Sequence, residues 1–261
     1  MDGRAASVTG MFWMTAFLDL TPEEFDRGVE FWQGVTGYAL SPVRGEHDEF
    51  ATLVPPDGDA HLRVQRLGDG PSRVHIDLHV TDPVAATDDA VALGATVVTR
   101  HPTYAVLMSP GGFEFCLERQ PLSRPAPPAD WGGGLRSVVD QVCLDVPEPA
   151  YETEFGFWRA LTGWEEREIH AHPEFRRLIG PADRPLHILV QRLEEQTGPV
   201  RAHFDLAASD QQTEVERHRA LGASVAWFGD GWVVMTPPAG PAYCITGRSP
   251  GMRVLDVPAD R

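Results

Sequence analysis

Cysteine is nearly absent from this 261-residue chain, which holds only Cys116, Cys143 and Cys244. An odd number at wide spacing, with no CxxC pair, encodes neither a disulfide framework nor a zinc ribbon, and the thiols read as reduced. Long apolar runs are missing as well. None approaches the roughly 20 residues needed to span a bilayer, and the opening MDGRAASVTGMFW lacks the basic-then-apolar order of a signal peptide. A cytoplasmic location with no membrane partner is expected. Positive charge is scarce: 22 Lys plus Arg face 38 Asp plus Glu, a formal charge of −16 with no acidic tail to account for it. A surface of that sign repels polyanions, which excludes nucleic acid as a partner. What is present is ordinary globular material, 42% apolar and 23% charged, so disorder and coiled coil are excluded and the length points to two modest domains.

The chain repeats itself. FWQGVTG at 31 to 37 returns as FWRALTG at 157 to 163, and HLRVQRL at 61 to 67 returns as HILVQRL at 187 to 193, both at an offset of 126. RVHIDL at 73 to 78 and LGATV at 93 to 97 return as RAHFDL and LGASV at an offset of 128. Across these blocks 17 of 25 positions are identical, so the halves are duplicates that differ by a two-residue insertion. Between them QPLSRPAPPADWGGG, residues 120 to 134, has too much proline and glycine for a helix or central strand and reads as a linker.

Each half opens on an alternating run, MTAFLDL at 14 to 20 or DQVCLDV at 140 to 146, expected to be a strand with one face buried. A helix follows, with Thr21 as its cap, Pro22 in its first position, Phe25, Val29 and Trp32 at helical spacing, and Gly37 as its stop. About three strands come next, the last being HLRVQRL or HILVQRL. A second unit runs from strand HIDLHV through a helix over Pro83 to Leu93 to strands VVTR, AVLMS and FEFCLE. The order is βαβββ four times.

FW…TG after the first helix, the LVQR-like fourth strand, RxHxDL followed by LGA, and PxGxxxC near the end occur in this order twice. The combination resembles the vicinal oxygen chelate superfamily, which includes glyoxalase I, bleomycin-resistance proteins and extradiol dioxygenases, and within it the glyoxalase-like domain branch. The resemblance covers roughly residues 11 to 119 and 136 to 247. It implies an α+β fold in which four βαβββ modules build two tandem half-barrels: domain 1–119, linker 120–134, domain 135–249 and tail 250–261. It also implies either a monomer with an internal pseudo-dimer or a homodimer.

The same resemblance places metal-binding positions, usually two His and two Glu, on the concave face of each half-barrel. In this chain they fall on Thr15, Gln65, His75 and Cys116, and on Gln141, Gln191, His203 and Cys244. Only His and Cys among these are strong donors, two per half, so no metal and no cofactor is expected; a divalent zinc, iron, nickel or manganese ion is the alternative. Period-two alternation adds Asp77 and His79 beside His75, and Arg63 and His61 beside Gln65, on the concave face. The N-terminal cavity is therefore the more charged and the expected active one, since its counterparts include Leu189 and Ala207.

Structural alternatives accompany these assignments. His75 and His203 either line a pocket or only satisfy a half-buried barrel, and Cys116 and Cys244 read as small buried residues, not nucleophiles. Trp32, Trp158, Phe31 and Phe157 belong to the core, Asp19 and Asp145 are taken as helix caps, and His47, His170 and His172 fall in solvated loops. Three functions follow. The first is binding of a small organic molecule in a concave cavity without the usual His/Glu centre, as bleomycin-resistance proteins do. The second is a lyase, isomerase or dioxygenase-like enzyme using His75 or His203 as general acid or base. The third is a non-catalytic pseudo-dimeric scaffold.

Overall fold

The structure is a computed structural model and describes residues 10–251; nearly all of the expected tail at 250–261 lies outside the described residues. The N-terminal half runs β1 (Trp13–Leu20), α1 (Pro22–Thr36), β2 (Ala39–Leu40), β3 (Phe50–Val54), β4 (Leu62–Arg66), β5 (Arg73–His79), α2 (Pro83–Ala92), β6 (Thr96–Arg100), β7 (Tyr104–Met108) and β8 (Glu114–Glu118). After β9 (Ala129–Asp130) the C-terminal half repeats it: β10 (Arg136–Pro147), α3 (Tyr151–Thr162), β11 (Glu165–Glu168), β12 (Phe175–Ile179), β13 (His187–Leu193), β14 (Arg201–Ala208), α4 (Gln211–Ala220), β15 (Ser224–Phe228), β16 (Trp232–Thr236) and β17 (Tyr243–Thr246).

Each half is one open mixed sheet. The strand orders are β2-β3-β4-β1-β5-β8-β7-β6 and β11-β12-β13-β10-β14-β17-β16-β15, with β9 paired to β10. Within a module the first and last strands are parallel, β1 with β4 and β5 with β8, and a parallel pair needs a crossover, which the helix supplies. Antiparallel pairing of β1 with β5 then joins two modules through their first strands, so those strands lie at the centre of the sheet and carry the middle of its concave face. These are the four βαβββ modules expected from the repeat, in the two-half-barrel α+β architecture that the resemblance implies.

Local chemistry explains the helix boundaries. Proline at the first position presets φ for α1, and Gly37 ends it at φ 71°, its N–H bonding the Gln33 carbonyl at 2.8 Å; glycine occupies that left-handed conformation without a Cβ clash. Thr21 is the cap position, but its hydroxyl makes no cap bond, and its own N–H is held instead by Ser72 Oγ at 3.0 Å. In the second module Asp82 accepts from the N–H groups of Val84 and Ala85, a full side-chain cap.

The two halves share one continuous hydrophobic core. Trp32 of α1 packs edge-on against Phe204 and Tyr243 of the C-terminal sheet, while Trp158 of α3 packs against Phe113 and Phe115 of the N-terminal half. Each half thus sets its first helix on the other's second module. Arg217 of α4 seals the exchange by donating to the free carbonyls of Gly34 and Val35 near the end of α1. Its guanidinium lies 3.7 Å from the Trp131 ring, in the segment between the halves.

One expectation about burial is corrected. All eight residues of β1 are buried, not only one face, because the concave side of the N-terminal sheet is filled by its own side chains.

Candidate functional site

The β1–β5 register sets Phe17 opposite His75 and Thr15 opposite Asp77, and β8 adds Cys116 beside Asp77. His75 Nδ1 donates to both Asp19 oxygens at 2.8 Å, while its Nε2 lies 3.5 Å from Asp77 and its ring stacks on Phe17. Asp19 therefore orients the histidine; it is not a helix cap. Burial alone would depress the imidazole pKa, but the two carboxylates outweigh it and hold His75 up at about 10. Arg63 donates to Glu118 at 3.0 Å and to Gln120, and lies 3.8 Å from Asp77. His79 sits 2.8 Å from the Thr15 hydroxyl, with burial pushing it down to about 4. Thr15, Arg63, His75, Asp77 and His79 are all buried; Gln65 is half-buried in register with Asp19. The charged side chains of the N-terminal face pair with one another in a buried ion network.

His61 departs from its expected place on this face. It is buried, and its Nε2 lies 3.0 Å from the Val139 carbonyl of the other half. With His187 it lines a small cleft of about 150 Å³.

The C-terminal half repeats the framework and leaves it hollow. Cys143 lies opposite His203, Gln141 opposite Asp205, and Cys244 beside Asp205. His203 Nδ1 meets Asp145 at 2.9 Å and its Nε2 lies 3.4 Å from Asp205, which also accepts from Gln141. Here too the Asp before the helix orients the histidine. Burial opposes the charge, but the carboxylates of Asp145 and Asp205 against its two ring nitrogens hold the His203 pKa well above its ordinary value. Burial pushes the Cys143 and Cys244 thiols up, which makes them poor nucleophiles. Above this floor opens a cavity of about 840 Å³, with Gln141, Gln191, His203 and Cys244 in its lining and Phe175, Leu189 and Trp232 in its walls.

The resemblance to metal-binding relatives can be tested on these donors. In each half three strong donors have ligand atoms within 4.8 Å of one another, His75 with Asp77 and Cys116, and Cys143 with His203 and Asp205. The expected two per half was too low, because Asp77 and Asp205 turn in beside the histidine and Cys143, not Gln141, faces His203. Thiolate, imidazole and carboxylate suit zinc or ferrous iron, and a carboxylate on the far ring nitrogen is the usual support of a ligating histidine. The set fits a divalent ion in the C-terminal half, where Cys143, His203 and Asp205 would hold it facing the cavity.

Sequence patterning alone does not mark Asp19, Asp145 or Cys143 as site residues, although all lie on the period-two face that runs through Thr15 and Gln141. Arg177 of β12 and Arg248, both lining the cavity, carried no repeat signal.

Comparison with known proteins agrees with the tandem fold. A family model described as a glyoxalase-like domain matches twice, at residues 15–118 and 141–246. No curated protein sequence matches the chain. Among solved structures, a Mn(II)-bound glyoxalase from Novosphingobium aromaticivorans superposes with a TM-score of 0.58 at 17% identity, covering 92% of this chain and 82% of that one. A halotolerant catechol dioxygenase gives 0.57 at 14%, covering 90% and 86%. A xylose isomerase-like TIM barrel/4-hydroxyphenylpyruvate dioxygenase fusion protein gives 0.58 at 15%, covering 84% of this chain but only 40% of that longer one. At such identities the likenesses establish the fold alone. The two family matches, each spanning nearly all of a half-barrel and together most of the chain, show that the chain belongs to the glyoxalase-like domain family.

Proposed function

We propose that the chain binds a small organic molecule in its C-terminal half-barrel, and that the N-terminal half-barrel is its closed structural counterpart. The observation that carries this reading is the 840 Å³ cavity above His203. A cleft of that size is ample for a drug-sized molecule, and its make-up, apolar walls around a few convergent polar groups, is that of ligand sites in general. Phe175, Leu189 and Trp232 would take the apolar body of the ligand, while His203 and Gln141 would meet its polar atoms. Asp145 fixes the His203 ring through Nδ1, so the imidazole would meet the ligand already oriented, as a hydrogen-bonding group or as the general acid or base.

A second reading is enzymatic, a lyase, isomerase or dioxygenase-like activity, and the convergence of Cys143, His203 and Asp205 favours it. A divalent ion held there would polarise a ligand oxygen. His203 and Asp145 would keep that corner oriented, and the apolar walls would exclude water.

A thermal-shift screen of small organic compounds tests the proposal. Hits should raise the melting temperature of the native chain and of His75→Ala, and the shift should fall by most of its size in His203→Ala. The reverse pattern, with hits lost in His75→Ala and kept in His203→Ala, would return the site to the N-terminal half. Elemental analysis of the same samples separates the two readings: a stoichiometric metal that disappears in Cys143→Ala supports the metal-assisted one.

A further inference from the structure

The two halves place their cations differently. In the N-terminal half Arg63 on β4 lies in register with Thr52 on β3 and is neutralised by Glu118 at 3.0 Å. Advancing by the repeat offsets turns Arg63 into Leu189, Glu118 into Thr246 and Gln120 into Arg248. The C-terminal half still has a cation on this face, moved to the neighbouring strand: Arg177 on β12 lies in register with Leu189. Its acidic partner is gone.

Arg177 lines the large cavity, yet its buried Nε has no hydrogen-bond partner and, among the described residues, no carboxylate forms a salt bridge with it. The other charges nearby are committed. Arg248 is clamped on Asp140 through two bonds at 2.6 and 2.8 Å, Arg201 is paired with Glu195, and Asp145 and Asp205 are bound to His203. Burial, together with the neighbouring Arg248, lowers the Arg177 pKa only to about 10, so it remains a cation at neutral pH. Asp205 and Asp140 act on this half-buried guanidinium only from beyond ion-pair distance, and a planar carboxylate satisfies such a group through paired N–H···O bonds. Two residues before Arg177, on the same face of β12, Phe175 meets Trp232 edge to face at 5.4 Å, an aromatic wall beside the guanidinium.

We propose that the C-terminal cavity selects an aromatic organic carboxylate, with Arg177 holding the anionic group and the Phe175–Trp232 wall taking the ring. This rests on the reading of that cavity as the ligand site. The probes are 1-naphthoate and its neutral isostere 1-naphthamide, titrated calorimetrically into the full-length protein. The expected result is at least about tenfold tighter binding of the carboxylate, the effect of one charge-assisted bidentate pair. Arg177→Met should abolish that preference while leaving the amide within about twofold, and Arg177→Lys should keep part of it. Thr246→Glu, which restores the carboxylate that Glu118 supplies in the other half, should also abolish it, and unchanged melting temperatures would show that these variants fold. Equal binding of the two probes by the native chain overturns the inference and leaves the cavity reading standing, as does a preference that survives both Arg177→Met and Thr246→Glu. Preferential binding that is lost in His75→Ala and kept in His203→Ala and Arg177→Met overturns both.

Discussion

Replacing Trp158 with alanine is expected to lower the stability of the whole chain by about 3–5 kcal/mol, the range for truncating a fully buried large aromatic. The indole is completely buried and belongs to α3 of the C-terminal half, yet it fills space against Phe113 and Phe115 of the N-terminal half. Its Nε1 donates at 2.7 Å to Glu154, a buried carboxylate that also accepts from the Gly111 N–H at 2.7 Å. Burial already raises the Glu154 pKa, so losing one of its donors adds the cost of a poorly satisfied polar group to that of the cavity. The loss should fall at the upper end of the range, and Trp158→Phe, which keeps most of the apolar volume but not the donor, should recover roughly half of it. Urea denaturation followed by far-UV circular dichroism measures both; a cost below about 1 kcal/mol for the alanine variant would show that the halves do not depend on a common core.

The second large effect is acid destabilisation through His61. Buried against the Val139 carbonyl, this imidazole is held down at about 4 by burial, whereas in the unfolded chain it titrates near 6.5. Below about pH 6.5 the unfolded state takes up a proton that the native state refuses, so stability present above that pH is lost progressively toward pH 4. The gap corresponds to about 3 kcal/mol. His79, also near 4, acts in the same direction. His75 and His203 do not offset the fall: their pKa values are raised, so their contribution is complete below 6.5 and is lost only as the pH rises above it. Chemical denaturation between pH 7 and 4.5 should therefore show a falling stability that His61→Gln, which can still donate to Val139, makes markedly shallower. An identical slope in the variant would assign the acid sensitivity elsewhere.

Architecture was legible because duplication wrote it twice. Matching blocks at constant spacing fix which strand corresponds to which, and parallel pairing of β1 with β4 then follows from the helix between them. The site was legible only where the copies agree. His75 and His203 sit in the same RxHxDL motif, but Cys143 corresponds to Phe17, so comparing the copies could not mark it. Asp19 and Asp145 read as caps because an aspartate just before a helix satisfies the rule for one, while the strand periodicity that points it at the histidine is equally present. Whether the concave face is filled or hollow could not be read at all. It depends on Arg63 reaching Glu118 across 55 residues of sequence, and period-two alternation says which way side chains point, not whether they find one another.

The contrast between a packed half and a hollow half separates two demands that usually compete within one protein. In the N-terminal half a substitution on the concave face breaks a buried ion network and is paid for in stability. In the C-terminal half the corresponding positions border open space, so Leu189, Trp232 or Thr246 can change the shape and charge of the cavity while the common core holds the chain together. A duplicated scaffold of this kind can vary the cavity of one half and keep the other as its reserve of stability.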